Sequence, residues 1–314
     1  MIHLQISALD PRAVALIAAL ERTGATKGSL EPEQARMHYR LTRKPLTWPV
    51  EPVGEALDIR PIEPGVPALK LFRPLRTGAA TKTLVFFHGG GWTVGDLSVY
   101  EPLCRRLANA LKVNVIWVEY RLAPEHPYPA PLDDAVAATR WIIANARFLG
   151  LDPQSIGVAG DSAGANLAAA TALLLRERGE RLANQVLIYP CLDLTLRHHS
   201  HEMLGQGYLL TSERYRWYVR NYLDGADAAD WRLSPLRAAD LSGLPPTIVL
   251  HAGFDPLRDE AIEYAQRLRE AKVKVAELSH PDMIHGFLNM GAVLPQADVA
   301  VAQIKSALQA FEAS

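Results

Sequence analysis

Short runs of apolar residues alternate along the chain with longer stretches in which apolar residues recur at helical spacing. The runs predict strands and the periodic stretches predict helices. After an initial pair of strands, each strand is followed by a helix, which indicates a mostly parallel sheet covered by helices on both faces. Strands are expected near 55–61, 68–73, 83–87, 113–118, 155–159, 185–189, 246–251 and 273–278, and helices near 98–111, 131–148, 162–178, 256–271 and 295–312.

Two stretches of the chain do not follow this alternation. Residues 1–50 precede the first strand, and residues 191–230 separate two strands by more than a simple crossover needs. We expect both to form a helical cap over the carboxyl edge of the sheet, where open α/β sheets bind ligands. The catalytic part would be residues 51–190 and 231–314, within one structural domain. Amphipathic helical patterns in the first stretch lie near 10–22 and 31–43.

Composition and charge narrow the class of protein. The chain has 314 residues, 49% of them hydrophobic, and a formal net charge of −1, so it can bury a large core. No basic stripe argues for nucleic acid or an anionic membrane, and no uncharged apolar run reaches the roughly 18 residues of a membrane span. The first residues lack the features of a signal peptide. We therefore expect a cytoplasmic protein, with Cys104 and Cys191 as buried free thiols and no metal site.

A Gly-Asp-Ser-Ala-Gly segment at 160–164 lies between a predicted strand and a predicted helix. Ser162 therefore falls in a tight turn at the carboxyl end of the strand. The flanking glycines fit a turn at which the helix approaches the sheet closely. The five-residue pattern alone can arise by chance or for structural reasons, but its surroundings favour a serine nucleophile.

A His-Gly-Gly-Gly-Trp segment at 88–92 follows another predicted strand. Consecutive glycines allow backbone N–H groups to point toward one oxygen, as binding of an oxyanion requires. We assign these donors to Gly89 and Gly90, joined by Ala163 at the start of the nucleophile helix. A flexible loop or a phosphate-binding turn is the alternative, although the spacing of the phosphate motifs is missing.

A serine nucleophile needs a base and an acid, which we expect in the order Ser, Asp or Glu, His. Asp255 comes at the carboxyl end of a predicted strand, and His285 lies in the loop after the last predicted strand. Asp255 would orient the imidazole, and His285 would deprotonate Ser162 and later protonate the leaving alcohol. His280 is the main rival for the role of base.

Other ionisable residues near these positions are expected to have structural roles. Asp259 lies one helical turn beyond the candidate acid and should pair with Arg258 or Arg267. Asp161, beside the nucleophile, should turn away from the cleft and anchor a neighbouring loop. His88 should brace the glycine loop.

Together these segments resemble the hormone-sensitive-lipase-like α/β hydrolases, the family IV bacterial esterases. The matching motifs are His-Gly-Gly-Gly-Trp at 88–92, Gly-Asp-Ser-Ala-Gly-Ala-Asn-Leu-Ala at 160–168, Asp-Pro-Leu-Arg-Asp at 255–259, His-Gly-Phe at 285–287, and Glu-Tyr-Arg-Leu-Ala-Pro-Glu-His-Pro-Tyr-Pro-Ala at 119–130. Their order and spacing over positions 83–290 agree with the family, and no catalytic position departs from its pattern.

The resemblance implies an α/β-hydrolase fold with a mostly parallel eight-stranded sheet and a helical cap. It also implies a carboxylesterase that acts through an acyl-enzyme, with a backbone oxyanion hole and no cofactor. Because a pocket roofed by the cap is closed at its far end, we expect the substrates to be short- to medium-chain acyl esters. The expected partner is a small-molecule ester, with no nucleic acid and no membrane, and a homodimer stays open.

Substrate selection is expected in the cap, where the sequence is least specific. Ester substrates bury hydrocarbon, so apolar and aromatic side chains could line a pocket, although cap aromatics more often pack inside the cap. Trp92 is favoured because the glycine loop holds it near the cleft. The candidates are Trp92, Tyr189, Leu204, Tyr208, Leu209, Trp217 and Tyr218.

Other classes of function fit these segments less well than an esterase does. An inactive relative that binds a small molecule would lack a member of the triad, yet all three residues are present. A serine peptidase of the oligopeptidase type normally needs a large extra domain, for which the chain has no room. Amide cleavage by a small enzyme with a cap stays open.

Overall fold

The computed structural model describes residues 8–23, 31–75 and 82–312. Its strands are β1 (Glu55–Ile59), β2 (Leu69–Arg73), β3 (Thr83–Phe87), β4 (Asn114–Val118), β5 (Ile156–Asp161), β6 (Gln185–Ile188), β7 (Thr247–Phe254) and β8 (Val275–Ile284). Its helices are α1 (Pro11–Arg22), α2 (Pro32–Arg43), α3 (Leu97–Leu111), α4 (Ala130–Ala144), α5 (Ala163–Glu177), α6 (Ser200–Met203), α7 (Ser212–Leu223), α8 (Arg258–Glu270) and α9 (Gln296–Glu312).

The described strands form one eight-stranded sheet with the order β1-β2-β4-β3-β5-β6-β7-β8. β2 pairs antiparallel with both β1 and β4, and every other neighbouring pair is parallel. This confirms the predicted α/β-hydrolase sheet. The carboxyl ends of β5, β7 and β8 consequently lie along one edge, which brings residues far apart in the chain close together.

Both faces of the sheet are covered, which explains why the central strands are continuous apolar runs. In β3, Val85 and Phe87 belong to the core cluster shared with α4, α5 and α8, whereas Leu84 and Phe86 belong to the cluster shared with α1, α3 and α9. All five residues of β3 are buried. Burial of each large apolar side chain contributes roughly 1.5–3 kcal/mol, so these two layers hold the strand ends in place.

Several helices begin at a residue whose side-chain oxygen accepts a hydrogen bond from a backbone N–H of the first turn. The Asp10 carboxylate accepts from the Arg12 N–H at the start of α1, and Pro11 occupies a position where no donor is needed. The Thr211 hydroxyl accepts in the same way from the Arg214 N–H at the start of α7. This cap sets where α7 begins and therefore which of its residues face the sheet.

The last two strands are longer than the sequence predicted. β7 continues to Phe254 and β8 to Ile284, with a shift of register between Ala252 and Phe254. The segment expected as a loop after residue 278 is therefore strand as far as Ile284. A register irregularity of this kind bends a strand pair, so the two strands extend beyond the sheet and carry their ends toward Ser162.

The two stretches predicted as a cap have different positions. α1 packs through Leu16 and Ile17 in the same core cluster as α9. α2 instead meets α7, because Ala35 and Tyr39 lie in one cluster with Trp217 and Tyr218. The division of the chain into cap and catalytic parts stays a prediction. Among the described helices, none is long and apolar enough to cross a membrane.

Candidate active site

Ser162 lies in a strained turn between β5 and α5. Its φ of 55° and ψ of −118° are in a region that non-glycine residues rarely adopt. A side chain at Gly164 would collide with the carbonyl of Phe87, so α5 can approach β3 only with glycine at this position. The Ser162 N–H donates to the carbonyl of Ile188 at 2.9 Å, which ties the turn to β6. The turn holds the hydroxyl at the carboxyl edge of the sheet.

Three side chains from three strand ends meet at this edge. The His285 Nδ1–H donates to Asp255 Oδ2 at 2.7 Å, and the Ser162 hydroxyl donates to His285 Nε2 at 2.9 Å. The Asp255 side chain is only 1% exposed, and its Oδ1 also accepts from the N–H of Leu257 at 2.9 Å. A buried carboxylate held in this way orients the imidazole so that Nε2 faces the serine.

The rivals for these roles lie elsewhere. His280 is inside β8, where its ring packs against Phe287 with a centroid distance of 4.8 Å. Burial lowers the pKa of His280, because it disfavours the charged form of the ring. The Arg258 Nε–H donates to Asp259 at 2.9 Å, and Asp259 also accepts from the N–H of Ser200. The predicted pairing of Asp259 with Arg258 is thus present.

The glycine loop differs from the prediction at one position. The Gly89 N–H donates to Asp161 Oδ1 at 2.7 Å, and Tyr100 donates its hydroxyl to Oδ2 at 3.1 Å. This N–H therefore cannot serve an oxyanion, and the assignment of Gly89 as a donor was wrong. Gly90, Gly91 and Ala163 line the cavity in front of Ser162, and Gly89 does not.

Asp161 and His88 hold this loop from two sides. Burial raises the pKa of Asp161 to about 6, and the two hydrogen bonds that it accepts oppose that effect. His88 lies between the rings of Trp117 and Tyr120, at 4.7 and 4.3 Å, and its Nδ1–H donates to the Gly89 carbonyl at 2.7 Å. Burial lowers the pKa of His88 to about 4, so it is neutral at pH 7. Both residues have the bracing roles expected of them.

The chain matches the α/β hydrolase fold family over residues 84–289, a range that includes the glycine loop, Ser162, Asp255 and His285. This chain belongs to the hormone-sensitive-lipase-like group of that family. The hydrolase is similar to the esterase of the archaeon Pyrobaculum calidifontis, with a TM-score of 0.91 and 35% identity over 98% of this chain and 100% of that one.

Two curated relatives are esterases by name. The carboxylic ester hydrolase LipN of Mycobacterium tuberculosis is 42% identical over 241 residues, which are 74% of this hydrolase and 64% of LipN. The matched part therefore spans slightly less than two thirds of LipN. The ethyl acetate hydrolase of Pseudomonas putida is 38% identical over 246 residues, which are 77% of each chain. The fold of the hydrolase is that of an esterase.

A cavity of about 880 Å³, part of it open to solvent, lies in front of Ser162. Its wall includes Trp92, Leu209 and Tyr218, three of the residues predicted for the pocket. Trp92 is fully buried and stacks on Tyr222 at 4.2 Å, so only part of the indole edge can reach a ligand. The cavity therefore lies between the glycine loop, α2 and the segment that contains α7.

Four other residues predicted for the pocket are outside the cavity wall. Tyr189 lies beside His285, with ring centroids 4.9 Å apart, and supports the imidazole. Tyr208 packs on Phe254, and Trp217 packs on Tyr218 inside the cluster between α2 and α7. Leu204 is buried just after α6. Sequence alone could not separate these from wall residues, because the faces of α6 and α7 were unknown.

The cavity wall also has a polar part, which the sequence did not predict. Arg43 and Arg214 line the cavity, as do His38 and Tyr39. The spacing of residues 39 and 43 places both side chains on one face of α2, but the same spacing is common on solvent-exposed helices. Within the described residues, His, Cys, Asp and Glu form no group of three or more that could hold a metal ion.

Proposed function

We propose that this hydrolase cleaves carboxylic esters of short- to medium-chain acids through an acyl-enzyme on Ser162. The observation that carries the proposal is the chain of hydrogen bonds from the Ser162 hydroxyl through His285 to Asp255. A serine hydroxyl is a poor nucleophile unless a base removes its proton. The imidazole of His285, which is hydrogen-bonded to the hydroxyl, can act as this base.

In the proposed reaction, His285 Nε2 takes the proton of Ser162 as the oxygen attacks the ester carbonyl carbon. The imidazolium is stabilised by the Asp255 carboxylate and gives its proton to the leaving alcohol oxygen. A water molecule then attacks the acyl-enzyme with the same base, which releases the carboxylic acid and restores the hydroxyl of Ser162. No electron transfer or co-reactant other than water is needed.

For the oxyanion we propose the N–H groups of Gly90, Gly91 and Ala163. All three residues line the cavity beside Ser162, and Ala163 begins α5, where the helix dipole also favours negative charge. Gly89 then has a different role, since its N–H holds the loop to Asp161. We also propose that α2 and residues 191–230 act as the cap, because both contribute to the cavity wall.

The test is hydrolysis of p-nitrophenyl butyrate by the purified protein. Ser162→Ala should lower kcat by several orders of magnitude, about the scale of triad removal, while thermal unfolding changes little. Addition of His285→Ala to that variant should cost almost nothing more, because the two residues act as a unit.

His280→Ala serves as the matched control, since it alters a buried histidine on β8, the strand that leads to His285. Its kcat should stay far above that of His285→Ala. Turnover retained in Ser162→Ala, or a larger loss in His280→Ala than in His285→Ala, would overturn the assignment. A serine-directed organophosphate should label the wild type and leave Ser162→Ala unmodified.

A further inference from the structure

The backbone of the glycine loop has a conformation that depends on support from its surroundings. Gly90, Gly91 and Trp92 have φ values of 112°, 57° and 56°, which are three positive values in succession. For Trp92, which carries a side chain, such a conformation is unfavourable and persists only where neighbouring groups impose it. Because the two glycines carry proposed oxyanion donors, the groups that hold this loop bear on the rate of the reaction.

The Arg36 side chain reaches from α2 to the end of this loop. Its Nε–H donates to the Thr93 carbonyl at 2.9 Å, and an Nη2–H donates to the Ala123 carbonyl at 3.1 Å. These acceptors belong to segments that are already joined, because the Ala123 N–H donates to the Trp92 carbonyl at 2.8 Å. Thr93 is fully buried, so water does not readily replace the guanidinium as donor.

Glu125 orients the guanidinium of Arg36. Its Oε1 accepts from Nη1 at 2.9 Å, and its Oε2 accepts from Nη2. The hydrogen bonds from Arg36 are the main cause of the lowered pKa of Glu125, so the pair is charged at pH 7. A bidentate pair of this kind fixes the plane of the guanidinium. With that plane fixed, Nε and Nη2 both face the carbonyl oxygens that they bind.

A second contact of α2 reaches the start of the loop. The Tyr39 hydroxyl donates to the Tyr100 oxygen at 3.1 Å, since the Tyr100 hydroxyl itself donates to Asp161 Oδ2 at 3.1 Å. The other oxygen of Asp161 accepts from the Gly89 N–H at 2.7 Å. Tyr39 lies three residues after Arg36, so the two side chains lie on the same side of the helix. One face of α2 is thus linked to both ends of the loop.

We propose that Arg36 is a positioning residue for the hydrolysis, and that through it α2 holds the N–H groups of Gly90 and Gly91 where the oxyanion forms. Arg36 is outside the cavity wall and acts through the carbonyl of Thr93. Misplaced donors stabilise the transition state less, so α2 contributes to the chemical step as well as to the cavity wall. This proposal rests on the ester hydrolysis and the oxyanion donors proposed above.

The test is steady-state hydrolysis of p-nitrophenyl butyrate by the full chain. Arg36→Met keeps much of the length of the side chain but removes its donors, and should lower kcat about 10- to 100-fold with little change in KM. Arg36→Lys keeps the charge but has no planar fork, so its kcat should lie between those of wild type and Arg36→Met. Tyr39→Phe loses only a hydroxyl and should lower kcat by a smaller factor.

Inhibition by butylboronic acid gives a readout without turnover. The Ser162 oxygen adds to its boron, which becomes tetrahedral, so that a boron-bound oxygen takes the place of the oxyanion. The inhibition constant should rise in Arg36→Met by about the factor by which kcat/KM falls, because both depend on the same donors. A role confined to stability would shift thermal unfolding and leave kcat and this inhibition constant unchanged.

Arg40→Met is the matched control, because Arg40 is exposed on the same helix and pairs with Asp96 at the start of α3. An exposed pair of this kind contributes little to stability. The kcat of Arg40→Met and its inhibition by the boronic acid should equal those of wild type. An equal loss of kcat in Arg40→Met and Arg36→Met would assign the effect to the packing of α2 in general and contradict the inference.

Unchanged kcat in Arg36→Met, or an effect confined to KM, would also contradict it. If Arg36→Met does not fold, Arg36→Lys and Tyr39→Phe are judged by the same criteria. The wild-type rate separates this result from failure of the proposed function. If wild type and Arg36→Met cleave the ester equally fast, the esterase proposal stands and only the role of Arg36 falls. If wild type does not cleave it, the proposed function itself has failed.

Discussion

Asp161 and Gly89 together determine how the glycine loop is used. The carboxylate takes the first glycine N–H of the loop, and a side chain at Gly89 would come within 2.6 Å of Asp161 Oδ2. Both residues are therefore constrained by each other, even though neither is proposed to touch the reacting atoms. The next two residues of the loop, Gly90 and Gly91, line the cavity.

This contact predicts a difference between two substitutions at Asp161. Asp161→Asn keeps an amide oxygen that can accept from Gly89, whereas Asp161→Ala leaves that buried N–H unpaired and releases the loop. We expect Asp161→Ala to lower kcat about 10- to 100-fold with a smaller change in KM, because misplaced donors act on the transition state. Asp161→Asn should retain most of the activity.

Steady-state kinetics on p-nitrophenyl butyrate, with thermal unfolding as a check on folding, distinguishes the two variants. Equal losses of kcat in both would show that the charge of Asp161 matters and the hydrogen bond to Gly89 does not. A loss confined to KM would place the effect on ground-state binding of substrate.

At the scale of elements, strands β7 and β8 end directly before two of the candidate catalytic residues, Asp255 and His285. Their contact is reinforced by an ion network: His251 Nε2–H donates to Glu277 at 3.1 Å, and Arg269 Nη1 is 2.7 Å from the same carboxylate. The bond from His251, joined by Arg269 and opposed by partial burial, lowers the pKa of Glu277 to about 2. The carboxylate therefore favours the folded state.

The shifted pKa predicts how stability depends on pH. An unfolded Glu titrates near 4.3, so this group stabilises the fold fully above about pH 5, and the contribution is lost as the pH falls through about 2. Glu277→Gln should lower the free energy of unfolding at pH 7 by about 1–3 kcal/mol. The difference from wild type should shrink steadily between pH 5 and pH 3.

Urea unfolding at several pH values measures this difference. Glu270→Gln is the control, because Glu270 is exposed on α8 and contacts only Gln266 among the described side chains. A difference between wild type and Glu277→Gln that stays constant from pH 7 to pH 3 would contradict the role assigned to His251 and Arg269.

At the scale of the whole molecule, the cavity is roofed by helices that are far apart in the chain. α2 and α7 meet over the sheet edge, and the side chains that they contribute include Arg43 and Arg214. An acyl chain entering from Ser162 would therefore meet protein, and then guanidinium groups, after a limited length. Each buried methylene gains about 0.8 kcal/mol only while apolar wall remains to receive it.

This enclosure predicts the preference for acyl length among uncharged esters. We expect kcat/KM to peak at about four to eight carbons and to fall steeply for longer chains, since further methylenes must stay in water or displace side chains of the cap. p-Nitrophenyl esters from acetate to palmitate give the profile. Tributyrin below and above its solubility limit should show no jump in rate, whereas a palmitate optimum with such a jump would indicate a lipase.

The sequence by itself determined the order of the strands in the chain, and it predicted the turn at Ser162 and the candidate positions Asp255 and His285. These depend on local pattern, because strand runs, glycine turns and a residue that follows a strand end can be read without knowing what packs on them. To predict that Ser162, Asp255 and His285 lie close together, only one further rule was needed: parallel strands end at the same edge of a sheet.

The tertiary structure alone decided the use of Gly89 and the composition of the cavity wall. The Gly89 N–H donates to Asp161, which is 72 residues away in the chain. No sequence motif predicts this hydrogen bond. The residues that form the cavity wall depend on which faces of α2 and α7 point toward the cavity. These two helices pack against each other through Tyr39 and Tyr218. Local periodicity carries no information about such long-range packing. The position of Arg43 in the cavity wall therefore could not be predicted from the sequence.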